Sequence, residues 1–128
     1  MNAYSAIQQY SSVKVHSGVE AASPHRLIQM LFEGALERIA QAKGALKQNN
    51  IGRKGELIIK AINIVGGLQG CLNDNQGGEL AQSLDSLYDY IIRTLTQANR
   101  DNNPELLDEC ARLLGEIKVG WDAIGPTY

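Results

Sequence analysis

The sequence predicts an all-α protein: an antiparallel, up-down four-helix bundle with an N-terminal arm. Three observations carry that expectation. Two of the three prolines directly follow a capping residue, as Ser23-Pro24 and Asn103-Pro104. Apolar residues recur at helical spacing in four segments separated by short polar or glycine-containing breaks. No alternating apolar–polar run bounded by turn residues marks a strand. The expected division is a mobile arm over 1–22, the bundle over 23–124 and a C-terminal tail over 125–128.

The first helical segment covers approximately 24–48. Ser23 can accept a hydrogen bond from a free N–H of the first turn, and Pro24 has no N–H to leave unpaired. At 100° per residue its Leu27, Ile28, Leu31, Phe32, Ala35, Leu36, Ile39, Ala42 and Leu46 spread over about 180°. The second segment, 53–73, follows Gly52 and is as widely apolar, with Ile59 outside even that arc. The third, 78–100, opens after Gly77-Gly78 with Glu79, whose charge suits the positive end of a helix dipole. Its Leu80, Leu84, Leu87, Tyr88, Ile91, Ile92, Leu95 and Ala98 fall within about 140°. In the fourth, 104–123, Leu106, Leu107, Cys110, Leu113, Leu114, Ile117 and Trp121 fall within about 120°. Connections of a few residues make consecutive helices antiparallel neighbours.

A bundle helix needs an apolar stripe of roughly 100° or somewhat more. The first two segments exceed it, and their surplus has to face loops, the arm, a second copy of the chain or a groove for an apolar partner. The arm carries Tyr4, Ile7, Tyr10 and Val13 at intervals of three. So short a stripe is marginal as an isolated helix, so the reading is a mobile arm that docks its Tyr and Ile side chains on the body.

Composition narrows the function classes. A 128-residue chain with 44% hydrophobic and 20% charged residues is expected to form one domain with a substantial core. With one Trp and one Phe, that core rests on aliphatic side chains. A net charge of −2 without a basic run gives no attraction for nucleic acid or anionic lipid. The start "MNAYSAIQQY" lacks the features of a secretory signal, and no stretch approaches the roughly 20 apolar residues needed to span a bilayer. Cys71 and Cys110 stand far apart at apolar helical positions, which reads as reduced core thiols in a cytoplasmic protein.

Candidate chemistry is sparse. Ser23 and His25 lie side by side with Pro24, yet a nucleophilic serine needs a base oriented by a third group. Ser23 stands where a helix cap is required, and His25 in the first turn is expected to cap or pack. His16 lies on the arm, and two histidines cannot supply the paired Glu-x-x-His motifs of a di-iron bundle or a zinc site. The pairs Glu33/Glu37 and Asp85/Asp89 sit at or beyond the edges of their apolar arcs, where a solvated face is expected. "GGE" at 77–79 is followed by no Gly-Lys-Ser/Thr and is no phosphate loop. No enzyme, metal or cofactor is expected.

Three stretches carry a family resemblance: "ASPHRLIQMLFEGAL" at 22–36, "GGELAQSLDSLYDYIIRTLTQAN" at 77–99 and "LLDECARLLGEIKVGWDAI" at 106–124. In order and spacing the chain resembles the flagellar secretion chaperone family, FliS, over nearly its whole length. Phe32 stands where the family often has Tyr, which keeps the apolar bulk and loses a hydroxyl. The loop "NNIGRKGE" at 49–56 carries little of the family pattern. The resemblance implies a cytoplasmic export chaperone that binds the disordered C-terminal segment of flagellin in apolar grooves. It would thereby prevent premature polymerisation and deliver flagellin to the export gate of the flagellar type III apparatus. A co-chaperone or an anti-sigma factor are further partners of this kind, and a monomer or weak homodimer is expected. The groove is assigned to Ile58, Ile59 and Ile62 at one edge of the second arc, with Leu36 and Ile39 of the first. Tyr4, Ile7 and Tyr10 are assigned as the arm's cap over it. The competing readings are a histidine-phosphotransfer bundle, which would use His25, and a purely self-associating helical module.

Overall fold

The protein is described by a computed structural model over residues 22–72 and 78–124. Four helices make up about 90% of those residues, and no strand is present among them. They are α1 (Pro24–Lys47), α2 (Ile51–Gly70), α3 (Glu79–Asp101) and α4 (Pro104–Ile124). The arm residues Tyr4, Ile7 and Tyr10, and the tail 125–128, lie outside the described residues.

Each helix start has an identifiable cause. Ser23 is extended, and its Oγ accepts from Arg26 N at 3.1 Å, with Pro24 opening the helix. This is the cap expected of Ser23. Asn103 Oδ1 accepts from Glu105 N at 2.9 Å ahead of α4. Gly78 precedes α3 with φ of 94°, a conformation costly for any residue with a Cβ. The start of α2 differs from the sequence expectation by two residues. Asn50, not Gly52, ends the connection, because its Oδ1 accepts from Arg53 N at 3.2 Å. Most of the stretch expected as a loop at 49–56 is therefore helix, with Gly52 inside its first turn.

Short connections then force the chain back on itself. Asn49 turns at φ 58° and Asn102 at φ 51°, both in the left-handed region that Asn tolerates better than most residues. The helices form a square: α1 packs against α2 and α4, and α3 packs against the same two. Contacts between neighbours show the antiparallel order. His25 at the start of α1 meets Trp121 near the end of α4, while Lys43 late in α1 pairs with Asp108 early in α4. Lys54 early in α2 reaches Asn99 late in α3, and Gln69 late in α2 reaches Asp85 early in α3.

The core draws on all four helices. Leu31, Phe32 and Ile39 of α1, Leu57, Ile58 and Val65 of α2, Ile91 and Leu95 of α3, and Leu107 and Leu114 of α4 are buried. Neither Cys71 nor Cys110 is part of a disulfide. Cys110 is buried with Sγ 3.7 Å from Ile91 O, and burial pushes its thiol up to about 12, with the Glu109 carboxylate adding to the shift. That is a packing residue, not a nucleophile. No helix among the described residues is long and apolar enough to cross a membrane.

Candidate functional site

At one end of the square, α1 and α3 begin and α2 and α4 finish. Their stripes do not close over one another there, because no described element crosses the end. The result is a cavity of about 450 Å3. Ile28 and Phe32 line it from α1, Leu68 from α2, Leu84 and Tyr88 from α3, and Ile117 and Trp121 from α4, with Glu116 the only charged residue among the described lining. Two lining residues form an apolar lip open to solvent: Leu80 is 74% exposed and Ile124 is 63% exposed. Burial pushes the Tyr88 phenol well above its ordinary range, so it stays neutral in this wall.

His25 belongs to this end, and its role is structural. Its ring stacks on the Trp121 indole with centroids 4.7 Å apart and planes 12° from parallel. Its Nε2 lies 2.9 Å from Trp121 O; the carbonyl can only accept, so this nitrogen carries the proton. The indole Nε1–H donates in return to His25 O at 3.1 Å. A ring so engaged at a helix start differs from the exposed mid-helix acceptor that a phosphotransfer bundle requires. Beside it, Gln29 Nε2 donates to Asp122 at 2.7 Å and Lys118 Nζ to the same carboxylate at 2.6 Å.

Those two hydrogen bonds, Lys118 first and Gln29 second, hold the Asp122 carboxyl below its ordinary value. A depressed folded value means the link stabilises above the unfolded carboxylate range and is lost as pH falls through the folded value. Acidification below the usual aspartate range is therefore expected to loosen the α1–α4 end. Emission of Trp121, the only tryptophan, reads the change, and Asp122→Asn should abolish that transition.

The five residues assigned to a groove do not come together. Ile58 and Ile39 are core residues, Ile58 fully so at 0% exposure, and neither presents a surface. Ile59, one position on, is 54% exposed. Ile62 is half-buried and shares a seven-residue stripe with Gly55 and Gln69. Gly55 faces Asn99, and Gln69 donates to Asp85 and Asp89, so this stripe looks toward α3. Leu36 lies midway between Gln29 and Lys43, whose partners are Asp122 and Asp108 of α4. It therefore looks toward α4, on the other flank of the bundle. The edge of an arc marks where apolar cover ends; which neighbour stands there is set by packing.

The carboxylate pairs are surface groups. Glu33 pairs with Arg26 at 2.9 Å and Glu37 with Arg38 at 3.2 Å, while Asp85 and Asp89 are exposed and share Gln69. No cluster able to hold a metal ion occurs among the described residues. A second cavity of about 390 Å3, at the opposite end, is lined by Lys43, Lys47, Ile51 and Pro104 among others, with Lys43 already paired to Asp108. Leu80, Leu72 and Ile124 at the first cavity were not assigned to a binding site from the sequence, since a stripe running to a helix end looks the same whether or not something covers it.

The sequence is similar to known proteins over nearly its whole length. The family described as "Flagellar protein FliS" matches residues 6–128. A Pseudomonas aeruginosa protein named flagellar secretion chaperone FliSB is 52% identical over 124 residues, covering 97% of this chain and 98% of the relative. The Vibrio cholerae flagellar secretion chaperone FliS is 46% identical over 96% of this chain and 90% of its own. The Bacillus subtilis chaperone of the same name is 37% identical over 94% and 84%. By these matches over nearly its whole length, the chain, a four-helix bundle with an apolar cavity at one end, belongs to the flagellar secretion chaperone family FliS, a family of chaperones and not of enzymes.

Proposed function

We propose that this chain acts in the cytosol as the export chaperone of flagellin. In this reading it holds the disordered C-terminal segment of flagellin on apolar surfaces, keeps it from polymerising prematurely and delivers it to the flagellar export gate. One observation carries the reading: an apolar cavity at the bundle end with Leu80 and Ile124 left exposed on its lip. An amphipathic segment that folds on binding supplies the side chains such a cavity takes. The α2–α3 flank with Ile59 and Ile62, and the α1–α4 flank with Leu36, add lesser apolar surface on opposite sides. One segment reaching both must wrap around the bundle, and a large contact area offsets the entropy of ordering it. Ile58 and Ile39 support these flanks from the core beneath. Tyr4, Ile7 and Tyr10 are assigned to cover the cavity until flagellin displaces them.

Calorimetric titration with a flagellin C-terminal fragment tests this. Leu80→Asp should weaken binding by about tenfold or more, the equivalent of one leucine no longer buried. The fold should be spared, because a carboxylate in the first turn of α3 suits the helix dipole. Unchanged affinity would remove the cavity from the binding surface. A wild-type protein that ignores the fragment but gains mass with concentration in light scattering would favour a self-associating module.

A further inference from the structure

We propose that His25 is a positioning residue for partner binding: it holds the Trp121 indole as a rigid wall of the end cavity. The proposal rests on the cavity being the partner's site, and it extends the structural role of His25 to binding. Trp121 lies in the last turn of α4, where backbone carbonyls lack intrahelical partners and helix ends fray. An indole placed there would exchange rotamers, and a ligand would have to fix it on binding. Three contacts prevent this: the ring stack, the bond from His25 Nε2 to Trp121 O, and the bond from Trp121 Nε1 to His25 O. The first two need the imidazole, whereas the third uses only the backbone of residue 25.

That asymmetry makes the idea testable without unfolding the site. His25→Ala keeps the indole N–H bonded to the backbone, and the separate Gln29–Asp122–Lys118 link still ties α4 to α1. What is lost is orientation. The expected loss of affinity is about three- to tenfold, the cost of immobilising one large side chain at binding.

The experiment compares wild type, His25→Ala, His25→Gln and Ser23→Ala. Each is titrated with a flagellin C-terminal fragment and, separately, with 1-anilinonaphthalene-8-sulfonate as a small apolar probe. Free-state Trp121 emission is recorded for each. Ser23→Ala removes the α1 cap without touching the indole, so it controls for simple loosening of the helix end. Expected are a red-shifted, more mobile Trp121 and weaker binding of both ligands in His25→Ala, an intermediate result in His25→Gln, which keeps a donor but no ring, and wild-type affinity in Ser23→Ala. Equal affinities in wild type and both His25 variants would overturn the proposal, as would equal losses in His25→Ala and Ser23→Ala. If wild type binds the probe in a His25-dependent way but not the fragment, the flagellin reading fails and the wall remains. If His25→Ala does not fold, His25→Gln against Ser23→Ala decides by the same criteria.

Discussion

Ile58→Asp unfolds the bundle, while Ile59→Asp leaves it folded. The two side chains are neighbours in sequence and stand 100° apart around α2. Ile58 is fully buried between helices, whereas Ile59 is 54% exposed. Truncating a buried isoleucine costs about 2–5 kcal/mol. An unpaired carboxylate placed among Leu57, Ala61 and Val65 adds several more, or takes up a proton and still lacks a partner. The sum rivals the roughly 5–15 kcal/mol that holds a whole domain together. At Ile59 the carboxylate stays in water, and a change of about 0.5 kcal/mol is expected. Urea titration followed by far-UV circular dichroism separates the cases. Similar midpoints for both variants would mean that α2 is rotated from the orientation described, and with it the assignment of Ile59 and Ile62 to the α3 flank.

Lys54→Met is expected to lower stability by about 2 kcal/mol. Lys54 is 3% exposed, and its ammonium donates to Asn99 O at 2.8 Å and Asn99 Oδ1 at 2.7 Å. The need for it arises at the end of α3. The N–H groups of both Asn102 and Asn103 go to Ala98 O as the chain turns left-handed. Asn99 O, on a half-buried residue, is thereby passed over by the helix's own N–H groups; Lys54 supplies the missing donor and a positive charge at the negative end of the helix dipole. Methionine keeps most of the apolar stem, so the loss is chiefly of these bonds, offset in part by no longer burying a charge. A melting temperature lower by about 6–12 °C is expected for a domain of this size. Hydrogen exchange should rise first in the last turn of α3. In a double-mutant cycle Asn99→Ala should cost little once Lys54 is gone; additive costs would show that the two residues act independently.

Ile58, Ile59 and Lys54 mark the limit of what the one-dimensional pattern carries. Helix number, order and most boundaries were legible, because they follow from local chemistry: Ser23 and Asn103 accept bonds from N–H groups two or three residues ahead, proline opens a helix, and apolar stripes repeat every 3.6 residues. Where two local signals competed, as Gly52 and Asn50 did, the side chain able to satisfy an orphan N–H decided the start, and glycine was accommodated in the turn.

The family was legible too, since it resides in the order and spacing of stretches spread along the whole chain. The binding surface was not. A stripe defines angles about its own helix axis and contains no reference to neighbouring axes, so Leu36 and Ile62 read as parts of one groove although they look toward different partners, α4 and α3. The link between His25 and Trp121 joins residues 96 positions apart, and the donor for Asn99 O comes from 45 positions away. No local rule reaches across such separations. Only the packing of four axes into a square determines which flank a half-buried residue faces, which helix-end carbonyl is met by a lysine, and at which end of the bundle the four stripes frame an apolar cavity.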